Sequence, residues 1–372
     1  MAQQNMHAIV SRIFRSPTEK VIAVPEPRAD ELLVRVHAVG LNPADIKLSA
    51  LTLSGKVCGC EWAGTVEKAG KEVQGFKQGD RIAGFAPGGQ NNRTAAFAEF
   101  LCCRADSVFR VPSGTSMEEA ASLGVGMVTS MLTLRQFLGY PGAMAQHGDR
   151  KGSLASYDGP LLVWSAATAF GMHAVQLAKI LSPHRKVIAT ASAGKHDLLR
   201  SLGADFCFDY SDPDVVEKIR KLEPIRAAID TFGEAATTEK AARCLTVPDQ
   251  GEAIIVSSQP SMPFAGPKLP RGVRLAAVMS YTASGEPVRV AFALTWPASP
   301  EDALEASRMM ESLPDWIETR RLRAMPTRDI SKSLRRPANV QSVLQCILQD
   351  GLPLIAAGKV RGEKLVAVLR EE

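Results

Sequence analysis

The stretch Leu161-Leu162-Val163-Trp164-Ser165-Ala166-Ala167-Thr168-Ala169-Phe170-Gly171 joins a short apolar run to a tight turn of small residues. Four consecutive apolar residues read as a buried parallel strand, and the turn leads into the helical pattern of Met172–Leu181. A β-turn-α unit that binds a dinucleotide uses glycines, so that the backbone can approach a diphosphate lying on the helix N-terminus. Here only Gly171 remains, and alanine, serine and threonine stand in for most of the others. Taken alone the turn is a weak signal, and a ligand-free tight turn is its competing reading. Its place at the head of a regular series gives it weight.

Downstream the chain alternates. Strands are expected over Lys186–Thr190, Phe206–Asp209, Ala227–Asp230, Glu252–Ser257 and Val273–Met279, with helices over Lys195–Leu202, Val215–Leu222 and Glu234–Cys244. Six short apolar runs, most of them separated by helices, describe an α/β doubly wound parallel sheet. Upstream the pattern is β-rich: Glu31–Ala38 alternates apolar and polar positions, and glycines punctuate strand ends from Gly55–Gly64 to Gly79–Gly84. Ser116 reads as a helix N-cap with Glu118 and Glu119 in the first turn. Thr129–Leu138 reads as a second helix closed by Gly139 and Pro141, followed by a polar loop, Gln146–Gly159. The tail from Pro300 carries more helix and ends in the strand Lys364–Leu369. The expected division is a β-rich domain over residues 1–128, a parallel-sheet domain over 129–278 and a return to the first domain over 279–372.

Bulk properties narrow the function classes. A chain of 372 residues suits two domains, and 45% hydrophobic with 22% charged residues is typical of a soluble globular protein. The longest apolar runs fall far short of a membrane span. The start, Met1 to Val10, lacks the charged and apolar regions of a signal peptide. Seven cysteines without a CxxC pair read as reduced thiols, so a cytoplasmic protein is expected. The net charge of +5 is modest and spread along the chain, which disfavours nucleic acid. The short basic cluster Lys332–Arg336 reads first as a solvated loop and second as a surface for an anionic partner such as an acidic carrier protein. A monomer or dimer is expected.

The end of the second parallel strand speaks to cofactor choice. An NAD-specific turn places Asp or Glu there, against the ribose 2′-hydroxyl. This chain has Thr190-Ala191-Ser192-Ala193-Gly194-Lys195 instead. A hydroxyl at Ser192 and an ammonium at Lys195 suit a 2′-phosphate, so NADPH is expected; a surface lysine is the plain alternative. Tyr210, just past the third strand, is placed to cover the adenine ribose, with a core position as its alternative.

Four further stretches carry a resemblance over nearly the whole chain: Ala38–Asp45, Gly59–Gly64, Val73–Arg81 and Gly362–Val366. In this order, around a Rossmann domain, they resemble the medium-chain dehydrogenase/reductase superfamily, which implies a GroES-like catalytic domain. In its zinc-dependent members a cysteine stands where Asn42 is, a histidine where Cys60 is and another cysteine near Val125. Only Glu61 survives, and a lone carboxylate cannot hold a tetrahedral site. The four-cysteine structural lobe is absent after Pro87, where Gly88–Ala96 forms a short polar loop. No metal is therefore expected, which disfavours alcohol oxidation and favours hydride delivery to an activated C=C.

Within the zinc-free group the chain looks like the trans-acting enoyl reductases of fungal polyketide synthases, of the lovastatin-pathway type. Lys47, where quinone reductases tend to carry a tyrosine, Thr168 in the dinucleotide turn, and the polar loop at Gln146–Gly159 point there. The resemblance implies that Ala44, Asp45, Ile46, Lys47, Ala167, Thr168, Ala169 and Phe170 hold the cofactor. It implies that Lys47 and Thr129 line the cleft, and that Val256, Ser257, Val360 and Arg361 contact the nicotinamide half. The expected reaction is hydride addition from NADPH to the β-carbon of an enoyl thioester, free or tethered to a carrier protein of a synthase. Hydrogen-bond donors, Lys47 and Thr129 among them, would steady the enolate. Tyr281 is a candidate proton donor, with a packing or rim role as its alternative and water as the competing proton source. Cys60 as a nucleophile is disfavoured, since no histidine has an evident place beside it. Two other readings are a quinone or enone reductase on free small molecules, and a reductase fold that binds product without hydride transfer.

Overall fold

The structure is a computed structural model that describes residues 4–51, 54–138, 140, 154, 157–258, 266–290, 294–334 and 339–371. The expected loop at Gln146–Gly159 lies largely outside the described residues. The chain divides into two compact units. One comprises Met1–Val125, Tyr281–Arg320 and Ala324–Glu372, the other Gly126–Ser280 with Arg321–Arg323. Among the described residues no helix is long and apolar enough to cross a membrane.

The first unit is β-rich. Its N-terminal hairpin pairs β1 (Asn5–Arg12) with β2 (Arg15–Ala23), and a second small hairpin pairs β14 (Val288–Val290) with β15 (Leu294–Trp296). The main sheet contains β3 (Glu31–Gly40), β4 (Glu61–Ala69), β5 (Arg81–Phe85), β6 (Phe100–Arg104), β7 (Val108–Arg110), β16 (Thr327–Asp329) and β17 (Lys364–Val368). Its order is β16-β17-β3-β4-β5-β7, with β6 also paired to β3. The alternation in Glu31–Ala38 predicts one wet face, yet β3 is buried along almost its whole length. Its polar residues are matched by neighbours. Arg35 pairs with Glu67 at 2.9 Å and His37 with the Thr65 hydroxyl at 3.1 Å. Trp62, Phe97, Ile9 and Leu101 lie in the core of this unit.

The helices of the first unit are α1 (Pro43–Leu51), α2 (Met117–Ala120), α8 (Pro300–Glu318), α9 (Val340–Cys346) and α10 (Leu352–Ala356). Ser116 caps α2 as expected, and Glu119 returns the bond to complete a capping box. Helix α8 starts at Pro300 under the cap of Ser299, whose hydroxyl accepts the Asp302 N–H at 3.3 Å.

Helix α3 (Val125–Phe137) begins at the edge of the first unit and continues in the second. The second unit holds the expected parallel sheet. Its strands β8 (Leu161–Trp164), β9 (Val187–Thr190), β10 (Phe206–Phe208), β11 (Ala227–Asp230), β12 (Ala253–Ser257) and β13 (Val273–Ala277) run in the order β10-β9-β8-β11-β12-β13. This is the 3-2-1-4-5-6 order of a doubly wound dinucleotide fold. Between the strands lie α4 (Ala169–Leu181), α5 (His196–Ser201), α6 (Val215–Arg220) and α7 (Ala235–Ala242). Gly171 shows why the last glycine of the turn persists: a Cβ there would stand 2.6 Å from the Ala166 backbone, where α4 packs closely on β8. Leu162, Trp164, Ile188, Ile219 and Ile255 form the core on one side of the sheet.

Several boundaries differ from the sequence reading. Helix α4 starts at Ala169, three residues before Met172, because the Thr168 hydroxyl accepts the Gly171 N–H at 3.0 Å. The expected helix from Lys195 opens instead as a 3-10 turn over Ala193–Lys195, and α5 follows at His196. Helix α3 starts four residues before Thr129, for a reason that lies in the site.

Candidate active site

Glu61 opens β4 and is fully buried. A carboxylate at that depth needs a counter-charge and hydrogen bonds. Lys364, the first residue of β17 and also buried, brings its ammonium against Glu61 Oε1. Asn42 bridges the pair: its Nδ2 donates to Glu61 Oε1 at 2.9 Å, and its Oδ1 accepts from Lys364 Nζ at 2.6 Å. The other carboxylate oxygen accepts the Val125 N–H at 2.8 Å, the first of α3, so the helix is capped from a distant strand. Gly40 makes room, since a Cβ there would lie 2.4 Å from Glu61 Oε1.

A second buried group adjoins the first. Asp45 sits in the first turn of α1 and accepts the Asn42 N–H at 2.7 Å. Burial lifts its carboxyl to about 7, against the pull of Cys60, the Asn42 N–H and Lys364. The Cys60 thiol lies 2.9 Å from the Tyr281 hydroxyl. Burial pushes both well above their usual values, so Cys60 stays a thiol and Tyr281 a neutral phenol. Tyr281 lies in the 3-10 turn Ser280–Ser284, is 2% exposed and meets Phe85 edge-on.

This donor set does not fit a zinc ion. An ammonium already neutralises Glu61, Asn42 offers only an amide, and the Cys60 sulfur keeps its proton. Among the described residues no cluster of three or more His, Cys, Asp or Glu side chains is arranged to hold a metal.

In the second unit, the strand order reverses between β8 and β11, and their carboxyl ends mark the crevice of this fold. Ser165 leaves β8 with φ of +59°, a left-handed conformation rare for a side chain larger than glycine. Its strain is held by neighbours. The Ser165 N–H donates to Thr190 Oγ1 at 3.1 Å, and its carbonyl accepts from Thr231 Oγ1 at 2.7 Å. Thr231 also lies 2.8 Å from the Thr168 hydroxyl, the cap of α4. Ala167, Thr168 and Ala169 are half-buried at the start of this 13-residue helix, and Phe170 is buried. Ser192 is exposed and Lys195 half-buried, and Tyr210 is 39% exposed. A left-handed turn before a helix N-terminus, a lysine with no side-chain partner among the described residues and an open tyrosine fit the diphosphate and ribose of a dinucleotide.

The structure places the remaining expected residues as follows. Lys47 is exposed on α1, with Ala44 and Ile46 half-buried beside it. Thr129 is buried on α3. Val256 and Ser257 are buried at the end of β12, while Val360 is half-buried and Arg361 exposed before β17. Lys364 and Thr231 had no assigned role in the sequence. The signal for Lys364 was a lysine heading the apolar run Leu365–Leu369.

Comparison with known proteins agrees with this architecture. Residues 28–113 match the alcohol dehydrogenase GroES-like domain family, and residues 169–289 match the zinc-binding dehydrogenase family. A solved structure described as a putative zinc-dependent alcohol dehydrogenase from Rhizobium etli superposes with a TM-score of 0.74 at 22% identity, with all of both chains covered. The fold is the GroES-like and Rossmann pairing of the medium-chain dehydrogenase/reductases, as the sequence led us to expect. The trans-enoyl reductase caaB of Aspergillus niger is 30% identical over 349 residues, 92% of this chain and 91% of that protein. The trans-enoyl reductase ACTTS2 of Alternaria alternata is 37% identical over 223 residues, 58% of this chain but only 62% of that protein. The chain belongs to the trans-enoyl reductase family of medium-chain oxidoreductases, and its fold implies a nicotinamide cofactor.

Proposed function

We propose that this protein is a cytoplasmic, zinc-free enoyl reductase that uses NADPH to saturate the α,β double bond of an unsaturated acyl thioester carried by a polyketide synthase. The observation that carries the reading is the buried Lys364–Glu61 pair. Lys364 already neutralises the Glu61 carboxylate and the Cys60 sulfur keeps its proton, so neither is left to hold a Lewis acid for alcohol or ketone chemistry. The kinship with named trans-enoyl reductases supplies the substrate class.

The cofactor supplies a hydride for the β-carbon. The chain's own residues then have to bind, orient and steady charge. Lys195 and Ser192 bind the 2′-phosphate, and the turn over Ala167–Phe170 receives the diphosphate at the N-terminus of α4. Tyr210 covers the adenine ribose, and Val256, Ser257, Val360 and Arg361 contact the nicotinamide half. Lys47, exposed on α1 beside half-buried Ala44 and Ile46 and buried Asp45, and Thr129 on α3 offer donors to the cofactor and to the thioester oxygen as it gains enolate charge. The Tyr281 hydroxyl is committed to Cys60 inside the first unit, so we assign the proton at the α-carbon to water and Tyr281 to packing.

The test is incubation of the purified protein with NADPH and an α,β-unsaturated acyl thioester. Mass spectrometry should find the saturated thioester and one NADPH consumed per product. Cofactor consumption with a simple quinone but with no enoyl thioester would overturn the reading.

A further inference from the structure

The turn assigned here to the 2′-phosphate is held in place by a carboxylate. Ser192 precedes the 3-10 turn Ala193–Lys195 without capping it through its side chain. The Ala193 N–H instead donates to Asp209 Oδ2 at 3.2 Å, across from the end of the neighbouring strand. The other oxygen of Asp209 accepts from the Ser211 N–H at 2.8 Å and the Ser211 hydroxyl at 2.6 Å. These bonds hold the Asp209 carboxyl below the usual carboxylate range, with His196 adding a smaller pull. The lysines nearby are unequal. Lys218 is paired with Asp212, and Lys240 donates to the Tyr210 carbonyl at 2.7 Å. Lys195 forms no side-chain ion pair or hydrogen bond among the described residues.

We propose that Asp209 is a specificity-determining residue whose charge opposes Lys195 and limits the preference for a 2′-phosphorylated cofactor over one with a free 2′-hydroxyl. This rests on the NADPH reading and refines it. A phosphate monoester carries a charge of about −1.5 to −2 near neutral pH, whereas a hydroxyl carries none. Asp209 therefore disfavours one ligand and is indifferent to the other. At a solvated surface beside the turn, such a repulsion is worth about five- to tenfold in affinity. The same carboxylate orders the turn, a task that a neutral acceptor could also perform.

The test measures binding of two fragments by calorimetry, adenosine 2′,5′-bisphosphate and 5′-AMP, to the intact protein and its variants. Asp209→Asn keeps an acceptor for the Ala193 N–H, and both it and Asp209→Ser remove the charge. Each should raise the bisphosphate-to-AMP affinity ratio about five- to tenfold, with AMP binding itself changed less than twofold, which also reports a folded site. A ratio that stays level or falls in both variants overturns the proposal. Lys195→Ala tests the underlying reading separately. A wild-type ratio that this change leaves untouched would contradict the NADPH assignment, while the Asp209 variants would still decide the role of the carboxylate.

Discussion

The Lys364 ammonium lies against the Glu61 carboxylate where β17 and β4 begin, and both side chains are shut off from solvent. Asn42 joins the pair from the loop before α1, so three distant parts of the chain meet in one neutral group. Such a pair is a poor source of net stability but costly to break, because either charge left alone is buried.

Lys364→Met should therefore destabilise the first unit by about 3–5 kcal/mol, read as a fall in the denaturant midpoint. The double change Lys364→Met with Glu61→Gln should recover a large part of that loss. Equal destabilisation by the single and double variants would show that the charges are not coupled.

Asp45 gives the pH dependence. Its folded value, about 7, stands above the ordinary carboxyl value of 3.8. The unfolded chain releases this proton first, so the folded state holds more protons between these values and loses stability as pH rises through the window. The charged neighbours act in opposite senses, Glu61 raising and Lys364 lowering the value, while Cys58, Cys60 and Tyr281 stay neutral. Asp45→Asn should flatten the fall in stability between about pH 4 and 7. Unchanged slopes in urea titrations across this range would place the titrating group elsewhere.

Tyr281→Phe should lower stability by about 1 kcal/mol, the worth of one hydrogen bond, and leave turnover within about threefold of wild type. A loss of two orders of magnitude, with hydride transfer intact in single-turnover traces, would make Tyr281 the proton donor at the α-carbon.

Lys195→Ala should weaken NADPH binding roughly ten- to a hundredfold, the effect of one charged phosphate contact. NADH binding should hardly move. Equal effects on both cofactors would place Lys195 away from the 2′-phosphate.

The parallel sheet was readable because each strand is a short apolar run and each helix carries its own period. Leu161–Trp164 and Ala227–Asp230 fall where the residues alone put them. The start of α3 was not readable, because its cap is Glu61, 64 residues earlier in the chain. The same holds for β3, whose Arg35 and His37 look like a wet face until Glu67 and Thr65 are placed beside them. Glu61 was legible as the survivor of a ligand set, but Lys364, which neutralises it, had no local pattern beyond a lysine heading an apolar strand. Buried polar groups are recognised by their partners, and these partners are distant in sequence.

Lys47→Ala should lower turnover while leaving the fold intact, since an exposed ammonium on α1 is not a core contact. Loss of soluble protein, rather than loss of rate, would mean that Lys47 is structural.

Hydride is expected to go to a carbon–carbon double bond. NADPH deuterated at the transferred position, supplied with an α,β-unsaturated thioester, should place deuterium at the β-carbon of a saturated product and at no other carbon. Deuterium on a carbonyl carbon, in an alcohol product, would rule out enoyl reduction and return this chain to ketone reduction.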